Sequence, residues 1–128
     1  MTRVQHKVLL VDDSEISLHF TAGVLSRAGY DVRTATDVHE IGATFGDWRP
    51  DVILTDVNMP GVSGLELCRM LKSSYETAHV PVVLFSAFPS GVLEGMARDC
   101  EADGYLSKAN GLERLPNDLA LLIESALF

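Results

Sequence analysis

The stretch "VILTDVNMPGVSG", residues 52–64, is the most informative part of this sequence. Strand-forming apolar residues run up to one carboxylate, Asp56, and the chain then turns through Asn58, Pro60 and Gly61. A carboxylate at the tip of a buried strand is rarely there for packing. It either caps the following helix or serves a function that needs a rigid position. The rest of the sequence distinguishes these two explanations.

Five short segments have the composition of strands. They are "KVLLV" (7–11), "DVRTA" (31–35), "DVILT" (51–55), "VPVVLFS" (80–86) and "DGYLS" (103–107). Three of them are nearly continuous apolar runs, which is typical of strands covered on both faces. Helical segments lie between the strands, and this alternation requires parallel pairing through right-handed crossovers. The sequence therefore predicts an α/β fold, a doubly wound five-stranded parallel sheet with five helices.

The five helices are indicated by apolar spacing. For the first, Ile16, Phe20, Val24 and Ala28 recur every fourth residue, with Ser14 as cap and Gly29 as stop. The others are marked by Val38 to Phe45, Leu65 to Leu71, Leu93 to Cys100 and Leu119 to Ala126. Pro89 and Pro116 are well placed in the first turns of the last two helices.

Composition limits the functions that the chain can have. Its 128 residues, of which 47% are hydrophobic and 22% charged, fit a single globular domain over residues 1–128. The net charge of −8 argues against nucleic-acid binding, which needs clustered Lys and Arg. The apolar run 7–11 is too short for a signal peptide or a membrane span. We expect a cytoplasmic protein with neither a nucleic acid nor a membrane as partner.

Two cysteines, Cys68 and Cys100, lie in apolar helical patterns. Neither belongs to a C-x-x-C or Cys/His spacing, so a metal site or a disulfide is disfavoured. The sequence predicts that both are buried free thiols.

Polar residues end four of the five predicted strands. They are Asp12 and Asp13 after the first strand, Asp56 after the third, Ser86 at the end of the fourth, and Ser107 and Lys108 at the fifth. In a doubly wound sheet the functional crevice lies at the carboxyl ends of the strands, so these side chains should converge. Three carboxylates repel one another at short range and need a cation. Mg²⁺ is favoured because it takes hard oxygen ligands, and no EF-hand pattern points to calcium.

A carboxylate beside Mg²⁺ suggests phosphoryl transfer through an acyl phosphate. Asp56 would be the nucleophile, the metal would clamp the transferred group, and Lys108 would pair with its charge. Taken singly, each residue has a structural explanation: a helix cap for Asp12 or Asp13, and a surface charge for Lys108. Their joint placement at one sheet edge favours the functional explanation.

Four motifs carry a resemblance to a known family. In order and spacing, "LLVDDS", "LTDVNMPGVSG", "VVLFSA" and "GYLSK" resemble the receiver domain of two-component response regulators, close in size to single-domain chemotaxis regulators. The similarity extends from Lys7 to about Leu127. It implies a flavodoxin-like fold with strand order 2-1-3-4-5 and no enzymatic activity beyond the domain's own phosphoryl transfer and slow hydrolysis.

The resemblance also implies partners and roles. The phosphoryl donor would be a histidine kinase or a histidine phosphotransfer protein, and the output a downstream protein target or effector domain, with the domain a monomer or a phosphorylation-dependent dimer. Asp56 would be the phospho-acceptor. Asp12, Asp13 and Asp56 would bind Mg²⁺ together with the backbone carbonyl of Asn58. Lys108 would contact the phosphoryl group.

A switch is implied by the same resemblance. Ser86 matches the hydroxyl that turns toward the phosphoryl group, Ala87 the small residue beside it, and Tyr105 the switch aromatic. Phosphorylation adds negative charge and strong acceptor oxygens. If Ser86 moves to donate to them, Tyr105 can enter the vacated space, and the surface of helix four, strand five and helix five repacks.

Two features depart from the family pattern or extend it. The family usually has Pro after the lysine, often with a cis peptide, but this chain reads "KANG" at 108–111. A cis bond before Ala109 would cost about 2.5–4 kcal/mol, so either the bond is trans and the loop is rerouted, or strain persists. The following segment delays the fifth helix until about Pro116. Phe88 lies where side chains can screen the phosphoryl group from water, and we expect it to slow self-dephosphorylation.

Two other functions are compatible with such a fold. A receiver-like scaffold could bind partners without phosphorylation, using the altered 108–111 loop. An aspartate-nucleophile phosphatase, as in the haloacid dehalogenase family, would need a second Asp two residues after the nucleophile as general acid. Asn58 follows Asp56 and Ser14 follows Asp12, so that acid is missing.

Overall fold

Five parallel strands form the centre of the computed structural model, which describes residues 6–59, 61–75 and 77–127. They are β1 (Lys7–Val11), β2 (Asp31–Ala35), β3 (Val52–Thr55), β4 (Val82–Ser86) and β5 (Gly104–Ser107). Their order in the sheet is β2-β1-β3-β4-β5. This confirms the predicted five-stranded parallel sheet and the order 2-1-3-4-5.

Three strands begin later than predicted: an aspartate stands before β3 and before β5, and a proline stands before β4. Pro81, before β4, has no N–H to donate to a neighbouring strand. The Asp51 and Asp103 carboxylates, before β3 and β5, accept hydrogen bonds at 2.8 Å from the N–H groups of Lys7 and Val82. Side chains therefore take over part of the ladder at this end of the sheet.

Five α-helices connect or follow the strands. They are α1 (Glu15–Arg27), α2 (Val38–Asp47), α3 (Gly64–Ser73), α4 (Ser90–Cys100) and α5 (Leu115–Leu122). Ser14, Asp37 and Ser63 cap the first three, each accepting a hydrogen bond from the third residue on. The helix prediction is therefore confirmed, including the cap at Ser14. None of the described helices is long and apolar enough to cross a bilayer.

The chain between β5 and the end of the described region is less regular. Two 3₁₀ turns, Lys108–Asn110 and Leu112–Arg114, precede α5, and a π-helical turn, Ile123–Leu127, follows it. No peptide bond in the described ranges is cis, so the Lys108–Ala109 bond is trans and the loop takes the rerouted path. Pro116 lies in the first turn of α5, as predicted.

The core consists of two apolar layers, one on each face of the sheet. Alternate residues of each central strand point to opposite faces, so Leu9 and Ile53 face the layer with α2, α3 and α4, whereas Leu10 and Leu54 face the layer with α1 and α5. Each of these four side chains is at most 2% exposed. Helices on both faces confirm that the sheet is doubly wound.

The apolar residues that indicated α1 do not form its buried face. Ile16 and Phe20 are 73% and 59% exposed, and the helix instead buries Leu18, Thr21 and Leu25. Both sets have helical spacing. Spacing alone does not show which set faces the sheet. In the structure, the set that contains two leucines faces it.

Both cysteines are buried free thiols, as predicted. The Cys68 thiol donates a hydrogen bond to the Cys100 carbonyl at 3.3 Å, across the contact between α3 and α4. Burial, reinforced by the neighbouring Cys100 thiol, raises the pKa of Cys68 to about 12. Because the thiolate is the reactive form, Cys68 should be chemically inert near neutral pH.

We therefore expect the native protein to resist alkylation. At pH 8 the raised pKa lowers the Cys68 thiolate fraction by about a thousandfold relative to an ordinary thiol. Iodoacetamide labelling followed by intact mass should show no adduct on the folded chain and two adducts in denaturant. Rapid labelling of either cysteine in the native protein would contradict the buried arrangement.

Candidate functional site

Three carboxylates meet at the carboxyl edge of the sheet. Asp12 and Asp13 follow β1, and Asp56 follows β3, its neighbour in the sheet. Carboxylate oxygens of all three lie within 4.8 Å of one another. Asp12 is buried, Asp56 half-buried and Asp13 exposed, so the cluster opens to solvent on the Asp13 side.

Lys108 supplies the positive charge in this cluster. Its Nζ lies 2.9 Å from Asp12 Oδ2 and 3.3 Å from Asp56 Oδ2. It also donates to Ser17 Oγ at 3.4 Å and lies 5.4 Å from the centre of the Phe85 ring. One ammonium thus partly neutralises two carboxylates that come from different strands.

The backbone fixes the two inner carboxylates. Asp56 Oδ1 accepts hydrogen bonds from the N–H groups of Val57 at 2.7 Å and Asn58 at 3.4 Å. Asp12 Oδ1 accepts one from the Ser14 N–H at 3.0 Å. On both residues, Oδ2 is left to face Lys108.

The ionisation of the cluster reflects opposing effects. Burial alone would raise the pKa of Asp12, but the Ser14 N–H and Lys108 outweigh it, so the pKa lies below its usual range. Burial alone would lower the pKa of Lys108, but Asp12 and Asp56 outweigh it and raise the pKa. Asp12 is therefore an anion and Lys108 a cation at neutral pH.

The cluster fits a small divalent cation. Its donors are hard carboxylate oxygens, the ligands that Mg²⁺ prefers, and all three lie within 4.8 Å of one another. Asn58 lies two residues after Asp56 at the mouth of the cluster, and its carbonyl as a further ligand stays a prediction. The pairing of Lys108 with Asp12 and Asp56 means that an incoming ion would share these oxygens with an ammonium.

The two predicted switch residues lie on the neighbouring strands rather than in the cluster. Ser86 ends β4 and is 1% exposed, and it lies opposite Ser107 in the register of β4 with β5. Tyr105 is half-buried and packs against the apolar layer formed with α2, α3 and α4. The structure therefore brings Asp12, Asp13, Asp56 and Lys108 together, with Ser86 at the end of the adjacent strand.

Two contacts in the site were not anticipated from the sequence. Ser17, in the first turn of α1, lies within reach of Lys108. Gly64 opens α3 directly against the Asp56 loop, where its N–H donates to the Val57 carbonyl at 2.9 Å. A second glycine three residues after Gly61 was the available signal for a close backbone approach. Pro60, part of the predicted turn, lies outside the described residues.

Comparisons with known proteins agree with this geometry. The family model described as the response regulator receiver domain matches residues 8–120. DivK of Brucella anthropi, a polar-differentiation response regulator, is 32% identical over 108 residues, which cover 84% of this chain and 87% of DivK. CheY4 of Vibrio cholerae, a chemotaxis response regulator of solved structure, is 31% identical with a TM-score of 0.81, over 93% of this chain and 99% of CheY4.

Another relative is much longer than this chain. YvcP of Bacillus subtilis, named as an uncharacterised transcriptional regulatory protein, is 30% identical over 108 residues. The match covers 84% of this chain but only 44% of YvcP. The match thus shows that the same domain can form part of a larger protein.

We expect Gly64→Ala to damage both stability and the site. An added Cβ would lie 1.9 Å from the Asp56 carbonyl oxygen, so the Asp56 loop would have to move. Overpacking of this kind typically costs about 1–3 kcal/mol of unfolding free energy. Urea unfolding followed by the fluorescence of Trp48, the single tryptophan, measures the loss.

Gly42→Ala is the matched control. Gly42 lies in α2, and an added Cβ would have no heavy atom within 4 Å. Replacing a glycine inside a helix by alanine should raise the unfolding free energy by about 1 kcal/mol. Equal changes in unfolding free energy for Gly64→Ala and Gly42→Ala would contradict the close backbone approach at Gly64.

Proposed function

The chain belongs to the response regulator receiver domain family, and from this premise and the site geometry we propose that Asp56 accepts a phosphoryl group in a two-component phosphorelay. The observation that carries the proposal is the placement of Asp56. Its Oδ1 is held by two backbone N–H groups, and its Oδ2 faces Lys108 at 3.3 Å. The carboxylate is thus fixed in orientation, and a cation lies ready for the incoming charge.

Family membership confirms the resemblance of the four sequence motifs. Receiver domains interact with histidine kinases and with downstream targets. For this chain, the donor is a histidine kinase or a histidine phosphotransfer protein. An oxygen of Asp56 attacks the phosphorus, the bond from phosphorus to the donor nitrogen breaks, and the imidazole leaves. This reaction is phosphoryl transfer to the domain itself, and no other enzymatic activity is proposed.

Mg²⁺ bound by Asp12, Asp13 and Asp56, with the Asn58 carbonyl, would neutralise charge on the transferred group. The residues of the chain orient and balance the site. The Val57 N–H holds Asp56 in orientation. Lys108 would turn from the carboxylates to the phosphoryl oxygens, because its Nζ already contacts both Asp12 and Asp56.

The output is a change in the surface of α4, β5 and α5. Ser86 is buried at the end of β4 and would donate to the phosphoryl oxygens. Tyr105 would then change its packing, and the effect would reach the surface of α4 and α5, where Val92 and Leu121 respectively are 46% and 55% exposed. This face would bind the downstream protein or effector domain, or a second copy in a phosphorylation-dependent dimer. A cytoplasmic location remains part of the proposal.

A small phosphodonor with Mg²⁺ tests the acceptor directly. Wild type should gain the mass of one phosphoryl group, and Asp56→Asn should gain none because the nucleophilic carboxylate is gone. Asp37→Asn is the matched control, since the exposed Asp37 caps α2 and Asn caps a helix equally well. Uptake by Asp56→Asn, or none by wild type in Mg²⁺, would overturn the proposal.

A phosphorylation-independent scaffold is the second candidate. The observation that favours it is the 108–111 loop, in which Ala109 stands where the family usually has proline. If wild type takes up no phosphoryl group while the fold is intact, this candidate takes precedence. The phosphatase alternative has no support in the site, because Asn58 occupies the position of the required general acid.

Phe88→Ala should speed the loss of the phosphoryl group. Phe88 lies two residues after Ser86 and packs partly against the core, with part of the side chain exposed. Removing the ring should raise the hydrolysis rate about threefold to tenfold, as expected for a barrier lowered by about 1 kcal/mol. The decay of the phosphorylated mass measures this rate. Phe20→Ala, an exposed phenylalanine on α1, is the control, and an unchanged rate in Phe88→Ala would exclude the screening role.

A further inference from the structure

The Ser107 hydroxyl joins two loops at the edge of the site. Ser107 ends β5 and is 5% exposed. Its Oγ donates a hydrogen bond to the Phe88 carbonyl at 2.7 Å and accepts one from the Ala109 N–H at 3.2 Å. The first bond reaches the loop that follows Ser86, and the second holds the turn that carries Lys108.

The turn of Lys108–Asn110 depends on its two ends. Ser107 Oγ caps its beginning, and Gly111, with φ of 92°, ends it by donating its N–H to the Lys108 carbonyl at 3.1 Å. No proline ring fixes the backbone here, because residue 109 is alanine. The direction in which the Lys108 side chain leaves the backbone is therefore set by these hydrogen bonds.

The Lys108 side chain can hold its contacts only if the backbone from which it extends is fixed. Its Nζ contacts Asp12, Asp56 and Ser17 at 2.9–3.4 Å, and a long flexible side chain loses rotamer freedom when it is held in this way. A backbone anchored at Ser107 lowers the entropy that remains to be lost. The Ser107 hydroxyl also connects this turn to the loop that follows Ser86, because it donates to the Phe88 carbonyl in that loop.

We propose that Ser107 is a positioning residue. It holds Lys108 against the carboxylates, and it couples the turn of Lys108–Asn110 to the loop that follows Ser86. The proposal deepens the phosphoryl-acceptor function and rests on it. In this chain the hydroxyl supplies by hydrogen bonding the restraint that a proline ring at residue 109 would supply covalently.

Two opposite effects follow from this role. If the hydroxyl is lost, Lys108 spends less time on Asp12 and Asp56, so their oxygens are freer for Mg²⁺ and the ion binds more tightly. Phosphoryl acceptance slows, because the incoming charge loses its lysine partner. General damage to the fold would weaken both properties together, so the opposite signs identify positioning.

The experiment compares Ser107→Ala with wild type, with Lys108→Met as the reference for complete loss of the ammonium. Mg²⁺ affinity is measured by calorimetry, acceptance by the rate of mass gain from a small phosphodonor, and the turn by hydrogen exchange of the Ala109 amide. For Ser107→Ala we expect each to change by about threefold to tenfold, the usual effect of one lost hydrogen bond. Exchange becomes faster, Mg²⁺ binding tighter and acceptance slower.

Two further variants separate the hydroxyl from other effects. Ser107→Thr retains the hydroxyl and should restore all three measurements toward wild type. Ser73→Ala removes a hydroxyl that donates to the Arg69 carbonyl at the same 2.7 Å, but in α3 and outside the site. It should leave all three unchanged. Urea unfolding of each variant confirms that the measurements report a folded protein.

The measurements on Ser107→Ala and on wild type decide whether Ser107 positions Lys108. If Mg²⁺ affinity and acceptance in Ser107→Ala both equal wild type, or both fall together, Ser107 has only a structural role. If wild type itself takes up no phosphoryl group, the proposed function fails. The Mg²⁺ affinity and the Ala109 exchange then still decide whether Ser107 positions Lys108.

Discussion

Repulsion among three carboxylates is the constraint on which the rest of the site depends. Asp12, Asp13 and Asp56 have oxygens within 4.8 Å of one another at the ends of adjacent strands. Like charges this close need a cation, and the fold provides one in Lys108, which lies in the turn directly after the edge strand β5. Strand order, register and the turn after β5 therefore all serve to place one ammonium between two carboxylates.

This arrangement explains how a local charge could reach a distant surface. Lys108 pairs with the Asp56 carboxylate, and the hydroxyl of Ser107, its neighbour in the chain, donates to the Phe88 carbonyl in the loop before α4. Two hydrogen bonds and the peptide bond between these residues thus connect Asp56 to that loop. If the charge at Asp56 changed, the partner of Lys108 would change, and the turn that carries Lys108 is linked to the loop that follows Ser86. The proposed switch would thus be a redistribution of a few polar contacts between two packed loops.

Much of this could be predicted from the sequence. Short apolar runs such as 52–54 favour buried strands, and strict alternation with helices favours parallel pairing. Since strand ends then share one edge, Asp12, Asp56 and Lys108 could be placed together as well. The buried face of α1 could not be predicted, because two sets of residues have helical spacing, one with Ile16 and Phe20 and the other with Leu18 and Leu25. Contacts of Ser17, Gly64 and the Ser107 hydroxyl depend on loop paths that no local pattern specifies.

The most direct test of the account is a crystal structure grown with Mg²⁺ and beryllofluoride, a mimic of the phosphoryl group. We expect the mimic on Asp56, the ion on Asp12 and Asp13, and Lys108 Nζ moved from Asp12 to a fluoride. A mimic bound elsewhere, or a bound mimic with Lys108 still paired to Asp12, would contradict the claim that this lysine pairs with the charge added at Asp56.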